Sequence, residues 1–315
     1  MNLEPELRNG YLISHETKEL WNVQLQLLDK LLEVCKKYDI TVWAGGGTQL
    51  GAIRHKGYIP WDDDIDICML RSSFDKLIEV GPKEFSHPYF FQTTYNERDF
   101  PIGIAKLRMD GTAFVVGNEA FQDYHQGIFI DLVPLDAFPD DSKEYELFKK
   151  KALQMRQHLY MSCYFKGTSK LSPVLWYRYL SGKIHELING GYYNYHRKYI
   201  NLFRSYSTEE NEYVGSLTLD FDEKHFRFRR SIFDKTIMVP FEDRMIPVPA
   251  GYDEFLTSQY GDYMTPVKAP TLHGDEQIYV DAERSYLELL PDIRRQRKME
   301  RKVKMKKMIK RIVRL

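Results

Sequence analysis

The sequence predicts a mixed α/β (α+β) fold: a β-sheet flanked by helices, with a helical insertion and a basic C-terminal helix. Three observations carry this. Residues 16–38 place Leu20, Val23, Leu27, Leu28, Leu31, Leu32 and Cys35 at helical spacings, with Glu, Lys and Gln on the other face. Residues 64–69 and 102–109 alternate polar and apolar with the strand period. The run Ile128 to Val133 is apolar apart from Asp131, as in a central buried strand.

The first helix ends near Asp39 and leads into a short strand, Ile40–Ala44. Ser72 with Asp75 three residues on resembles a capping box. A helix through Leu77, Ile78 and Val80 would follow and end at Gly81-Pro82. Tyr89–Phe91 is a short strand. Along 102–109, Ala105, Leu107 and Met109 share one face, and Ile104, Lys106 and Arg108 the other. Asp110-Gly111 predicts a hairpin turn that returns through Thr112–Val116. Asp136 reads as a cap or turn residue.

Residues 143–206 read as helical, broken at Pro173 and Gly190-Gly191. Tyr160, Trp176, Tyr177 and Tyr192 within them read mostly as packing residues. Strand-like patterns return over 213–256, and Tyr252–Leu256 begins a short helix. The chain therefore divides into a core (1–140), a helical insertion or lid (141–212), a C-terminal return to the core (213–290) and a basic tail (291–315).

A chain of 315 residues can bury a large core, and 43% hydrophobic with 29% charged residues is a globular composition. Net charge is zero, but unevenly distributed. Arg294 to Leu315 holds twelve Lys/Arg and one Glu, leaving 33 basic against 44 acidic residues elsewhere. Cys35, Cys68 and Cys163 are far apart and form no C-x-x-C, which suits buried reduced thiols in the cytoplasm; Cys68 reads as core or site wall. The N-terminus lacks the pattern of a signal peptide, and no run of 18 apolar residues suggests a membrane span.

Gly45 to Met69 concentrates the chemistry. Three glycines follow an apolar run, and a basic turn follows at Arg54-His55-Lys56-Gly57. Pro60-Trp61-Asp62-Asp63-Asp64-Ile65-Asp66 then places four carboxylates within five positions. Such density needs solvent, basic partners or a cation. On a strand, Asp64 and Asp66 share a face and form a hard-oxygen site suited to Mg²⁺ or Mn²⁺. Glycines after a strand let backbone N–H groups approach a phosphate, and Thr48 adds a hydroxyl or a helix cap. Neither phosphate-loop motif is matched: Ala52 stands where a Walker lysine is needed, and there is no G-x-G-x-x-G. Alone, the glycines suit a tight turn and the acids a solvated turn or a calcium loop. The ordered pair, with Arg54 and Lys56 between, is harder to explain as structure only.

Gly46-Gly47-Thr48, Leu50 to Gly57, and Ile59 to Asp66 closely resemble the signature of the LicD family. That family includes bacterial phosphocholine transferases, is related to the fukutin-like proteins, and belongs to the nucleotidyltransferase-fold superfamily. Pro249, Tyr252-Asp253, Leu256 and Tyr260-Gly261-Asp262-Tyr263-Met264 extend the similarity toward the C-terminus. The resemblance implies a nucleotidyltransferase-like sheet. It implies Asp64, Asp66 and a third acid, Asp131, holding one or two Mg²⁺ (or Mn²⁺). It implies a donor site at Gly46, Gly47, Thr48, Arg54, Lys56 and Trp61, with Lys106 and Arg108 as phosphate contacts rather than a solvated sheet face. Asp62 or Asp63 would take a proton from the acceptor hydroxyl, or else hold the loop or pair with Arg54. His125 is either a core histidine or a phosphate contact, and His273 a loop residue that reaches the site or does not.

The implied reaction is transfer of phosphocholine from CDP-choline, or of another CDP-linked phosphoalcohol such as ribitol or glycerol phosphate, to a cell-surface glycan of lipopolysaccharide, teichoic acid or capsule type. For choline, one aromatic of the insertion would join a cage for the quaternary ammonium. A noncatalytic nucleotide- or glycan-binding relative is the alternative from another class; the intact acids argue against it. The tail, with Met305, Met308, Ile309 and Ile312 at helical spacing among basic residues, is expected to lie on an anionic membrane surface, near a lipid-linked acceptor. No nucleic-acid motif accompanies it. The expected location is cytoplasmic, peripheral on the inner face of the membrane.

Overall fold

The first helix, α1, spans His15–Lys37, capped by the Ser14 hydroxyl accepting from the Thr17 N–H. Its apolar face buries Trp21, Leu25, Leu27, Leu28 and Leu31 against one side of a sheet. It follows a two-strand ribbon, β1 (Glu6–Arg8) and β2 (Tyr11–Ile13). The computed structural model describes residues 1–101, 103–117, 119–164, 172–216, 227–267 and 278–312. His273 lies outside them.

The sheet is mixed. Strand β3 (Trp43–Ala44) pairs antiparallel with β4 (Asp66–Leu70), separated in sequence by helix α2 (Gly46–His55). After helix α3 (Arg71–Glu84) come β5 (Tyr89–Gln92), β6 (Ala105–Met109) and β7 (Ala113–Val116). The longest strand, β8 (Phe129–Phe138), runs parallel to β4. Its other edge is shared: β6 pairs with residues 129–132, and β9 (Tyr213–Gly215) with 136–138. Strands β5 and β10 (Arg227–Arg229) close the two branches.

The insertion is helical as expected: α4 (Ser142–Tyr164), α5 (Pro173–Ile188) and α6 (Tyr192–Phe203). A hairpin, β11 (Thr236–Phe241) with β12 (Arg244–Pro249), precedes helix α7 (Tyr252–Tyr260). Strand β13 (Ile278–Asp281) leads to the terminal helix α8 (Tyr286–Ile312).

Several local expectations are corrected. Helix α3 starts directly from β4 at Arg71, so Ser72 is no cap, and it runs past Gly81 and Pro82 to Glu84. Gly81 is there because the Phe91 ring lies against it; a Cβ would come within 2.6 Å of that ring. Asp110-Gly111 turns the chain, but β6 and β7 form no hairpin. Both edges of β6 are occupied, by β5 and β8, and β7 pairs with β13 instead. Asp136 is no turn residue: it is fully buried in β8, where Arg71 grips it through Nε–Oδ1 (2.6 Å) and Nη2–Oδ2 (2.8 Å). Ile232-Phe233 lies in a 3₁₀ turn rather than a strand. Helix α8 begins earlier than the basic tail. Leu290 and Ile293 pack on Ala113 and Val115, and the Arg294 and Arg297 side chains donate to the Ala120 and Gly117 carbonyls. Tyr160, Trp176 and Tyr177, expected to pack, are exposed.

Candidate active site

Register across three strands builds the site. Asp66 opens β4 opposite Asp131 of β8, and Asp131 lies opposite Lys106 of β6. Cross-strand partners share a face, so the three form one row. Alternation sends Ile67 and Met69 to the other face, into the core under α1. Lys106 Nζ lies 2.9 Å from Asp131 Oδ1, and 3.4 Å from the centre of the Phe129 ring, which shares that face.

The segment before β4 is fixed from below by α1. Trp21 Nε1 donates to the Asp62 carbonyl (3.0 Å) and Gln24 Nε2 to the Asp63 carbonyl (2.8 Å). Tyr58 stacks on Trp21 at 4.3 Å and donates to Gln24 Oε1. A helix that reads from sequence as scaffold thus positions the acids. Asp62, Asp63 and Asp64 each bring a carboxylate oxygen within 4.8 Å of the others, the one such group among the described residues.

The glycine run is the first turn of α2, not a loop before it. The Gly45 N–H donates to the Asp66 carbonyl, and the Asp66 N–H donates to Thr48 Oγ1, both at 2.9 Å. Thr48 is thus neither cap nor exposed hydroxyl; it ties α2 to β4. A Cβ on Gly47 would lie 2.8 Å from Asp62 Oδ2, and one on Gly46, where φ is +43°, 3.3 Å from Asp66 Oδ2. These glycines let the positive end of a helix approach two carboxylates.

Burial, first, pushes the Asp66 carboxyl well above the usual carboxylate range; Asp64, Asp131 and Asp62 add to this, and Lys106 opposes it. Asp62 is raised in the same way, by burial and then by Asp64 and Asp63. A hard divalent cation would suit this crowding. Asp62, Asp63 and Asp64 converge tightly, Asp66 feels the charge of Asp62 and Asp64, and oxygen donors suit Mg²⁺ or Mn²⁺. Of the expected set Asp64, Asp66 and Asp131, the last is engaged by Lys106 at the edge of the group.

The remaining candidates divide. Arg54 donates to the Tyr263 carbonyl (2.7 Å), and burial lowers its pKa. Lys56 ends α2 in the left-handed region with its side chain exposed. Trp61 is half-buried, its ring edge-on to Tyr11. Arg108 is not a phosphate contact: it is buried, donating to Gln92 Oε1 (2.6 Å) and the Gly127 carbonyl (2.7 Å). His125 is a core histidine, bonded to Asp110 Oδ1 and the Gly127 N–H and stacked on Phe90. Tyr192 is buried beneath Arg98.

Sequence reasoning missed Tyr260. Its hydroxyl would lie 3.8 Å from a Cβ on Gly46; the residue as a whole is 43% exposed, but desolvation at the hydroxyl and then the charges of Asp66, Asp62 and Asp64 raise its pKa. Its signal was its place in the Tyr260–Met264 segment, far in sequence from the acids. Beside Asp66 opens a cavity of ≈ 60 Å³, walled by Cys68, Val133, Leu135, Phe228 and Phe255.

Comparison with known proteins matches residues 39–158 to the family model described as LicD/FKTN/FKRP, nucleotidyltransferase domain. That span includes α2, all five aspartates and Lys106. The chain is 28% identical over 264 residues to the lipopolysaccharide cholinephosphotransferase LicD of Haemophilus influenzae, covering 82% of this chain and 96% of that protein. It is also 30% identical over 125 residues to an uncharacterized protein of Rickettsia prowazekii, covering 38% of this chain and 47% of that one.

Proposed function

We propose that this chain, a phosphotransferase whose residues 39–158 form a LicD-family nucleotidyltransferase domain, transfers phosphocholine from CDP-choline to a hydroxyl of a cell-surface glycan of lipopolysaccharide type. The observation that carries this is the row Asp66–Asp131–Lys106 beside the converging Asp62, Asp63 and Asp64. These carboxylates would hold Mg²⁺ or Mn²⁺, and the ion would supply positive charge against the donor diphosphate and the departing CMP. Lys106 adds a positive charge at the edge of the row. The N-terminal turn of α2, Gly46 to Thr48, supplies backbone N–H groups and the positive helix end toward the diphosphate. Lys56, the exposed cation after α2, is a second phosphate contact. Asp62, at the edge of the cluster beside Gly47, accepts the proton of the attacking hydroxyl. The acceptor oxygen bonds to the phosphorus that bears choline, and the bond from that phosphorus to the CMP oxygen breaks.

Choline in particular is favoured by the cavity beside Asp66. Its Phe228 and Phe255 walls, stacked at 4.3 Å, offer aromatic surface to a quaternary ammonium. No helix among the described residues is long and apolar enough to cross a membrane. The basic end of α8 is read as a contact to anionic lipid that would hold the enzyme near a lipid-linked acceptor.

The test is CMP release by purified protein with Mg²⁺ and a glycan acceptor extract, comparing CDP-choline, CDP-ribitol and CDP-glycerol. Release with CDP-choline alone, abolished by EDTA and by Asp64→Ala, is expected. Release only with another donor overturns the cargo; no release and no metal-dependent donor binding overturns the reaction.

A further inference from the structure

Helix α5 is built the wrong way round for a helix of a water-soluble surface. Its inner face is small and close: a Cβ on Gly182 would lie 2.6 Å from the His158 carbonyl oxygen, so α5 packs backbone to backbone on α4. Residues one and two turns from Gly182 on that side, Leu175, Tyr179 and Glu186, are half-buried. The opposite side should carry charge. It carries Trp176, Tyr177, Leu180, Ile184, Leu187 and Ile188 instead. Their exposures run from 42% for Trp176 to 79% for Leu187. Spacings of three and four residues place them in one stripe along the outward face.

The insertion that bears the stripe is rich in cations by sequence. Residues 142–204 hold twelve Lys/Arg against three Glu. The one acid of α5, Glu186, is bound by Arg98 and Lys183, both at 2.9 Å. The outward face of α5 therefore has an apolar centre with tryptophan and tyrosine, and the insertion bearing it has a large positive excess. A second copy of this chain is a poor occupant, because two such basic insertions would repel face to face. An anionic lipid surface satisfies both features at once: acyl chains take the apolar stripe, and headgroups take the lysines and arginines.

We infer that α5 is a membrane-seating helix that lies in the interface of an anionic bilayer. This seat is distinct from the basic end of α8 and independent of the identity of the transferred group. It orients the insertion toward the lipid, so an acceptor built on a lipid carrier would approach from that side.

The test is co-sedimentation of the full chain with vesicles of phosphatidylcholine alone and of phosphatidylcholine with phosphatidylglycerol. Wild-type protein should bind the anionic vesicles and little of the neutral ones. Tyr177→Ser/Leu180→Ser/Leu187→Ser, which alters only exposed side chains, should lower the bound fraction at least fivefold while circular dichroism and lipid-free mass stay unchanged. A chain ending at Arg301 should retain at least half of the binding. Equal binding by wild type and triple variant overturns the inference. So does loss of a lipid-free dimer in the triple variant, which would assign the stripe to a second copy.

Discussion

Strand β8 carries two aspartates five residues apart, in opposite electrostatic settings. Asp136 is fully buried, and Arg71 meets both its oxygens, so the charge is answered within the fold. Burial raises its carboxyl and Arg71 pulls it back. At the other end, Asp131 belongs to a row in which Asp66 feels three carboxylates and a single ammonium, Lys106. The sheet thus tolerates one internally neutralised acid and one cluster with excess negative charge. The first needs nothing from outside. The second costs stability unless it meets a cation, and that surplus marks it as functional.

Substitutions at the two ends should therefore separate activity from stability. The largest effect is expected for Asp66→Asn or Asp64→Asn: transfer falls by roughly 10²–10³ or more, as when a group that stabilises transition-state charge is removed. Near-UV circular dichroism should remain native. Arg71→Met should do the reverse, lowering unfolding free energy by about 3–5 kcal/mol, because it leaves a buried carboxylate alone. A urea titration reads that loss, and kcat per folded molecule should hold. Lys106→Met is intermediate. It removes the one positive charge that lowers the Asp66 pKa, so the acid limb of the pH–rate profile should move to higher pH.

The smallest effect sharpens the contrast by its sign. The Asp66 pKa is raised on folding, so above the ordinary carboxylate range the unfolded chain has lost a proton that the folded chain keeps. Stability without metal then falls as pH rises toward the raised value. Asp66→Asn removes this slope. In EDTA it should raise Tm by about 2 °C at pH 8, with the gain vanishing near pH 4. Differential scanning fluorimetry across pH checks it.

Much of this was legible in the sequence. Helix α1, strand β4 and the buried course of β8 follow from periodicity, and the family resemblance implied Asp64, Asp66 and Asp131 as one set, two of which, Asp66 and Asp131, the strand register makes cross-strand neighbours. What was not legible is what pairing decides. Lys106 and Arg108 share a face in sequence. Only the register of β6 on β8 sets Lys106 beside Asp131, and only packing against Gln92 and Gly127 turns Arg108 into a core residue. Asp136 looked like a turn residue because its partner lies 65 positions away. Thr48 looked like a cap, yet holds the backbone of Asp66. Tyr260 reaches the site from a helix almost two hundred residues downstream, a proximity no local pattern encodes.

The most direct measurement of the central claim is Mn²⁺ binding to the purified chain by electron paramagnetic resonance, in wild type and in the Asp64→Asn and Lys56→Ala variants. Wild type should bind the ion more tightly as pH rises from 5.5 to 8, and more tightly again with CDP-choline present. Asp64→Asn should lose the site, while Lys56→Ala keeps the ion and weakens only the gain from CDP-choline. Retention of wild-type Mn²⁺ affinity by Asp64→Asn would contradict the account, since the carboxylate cluster would then not be where the cation is held.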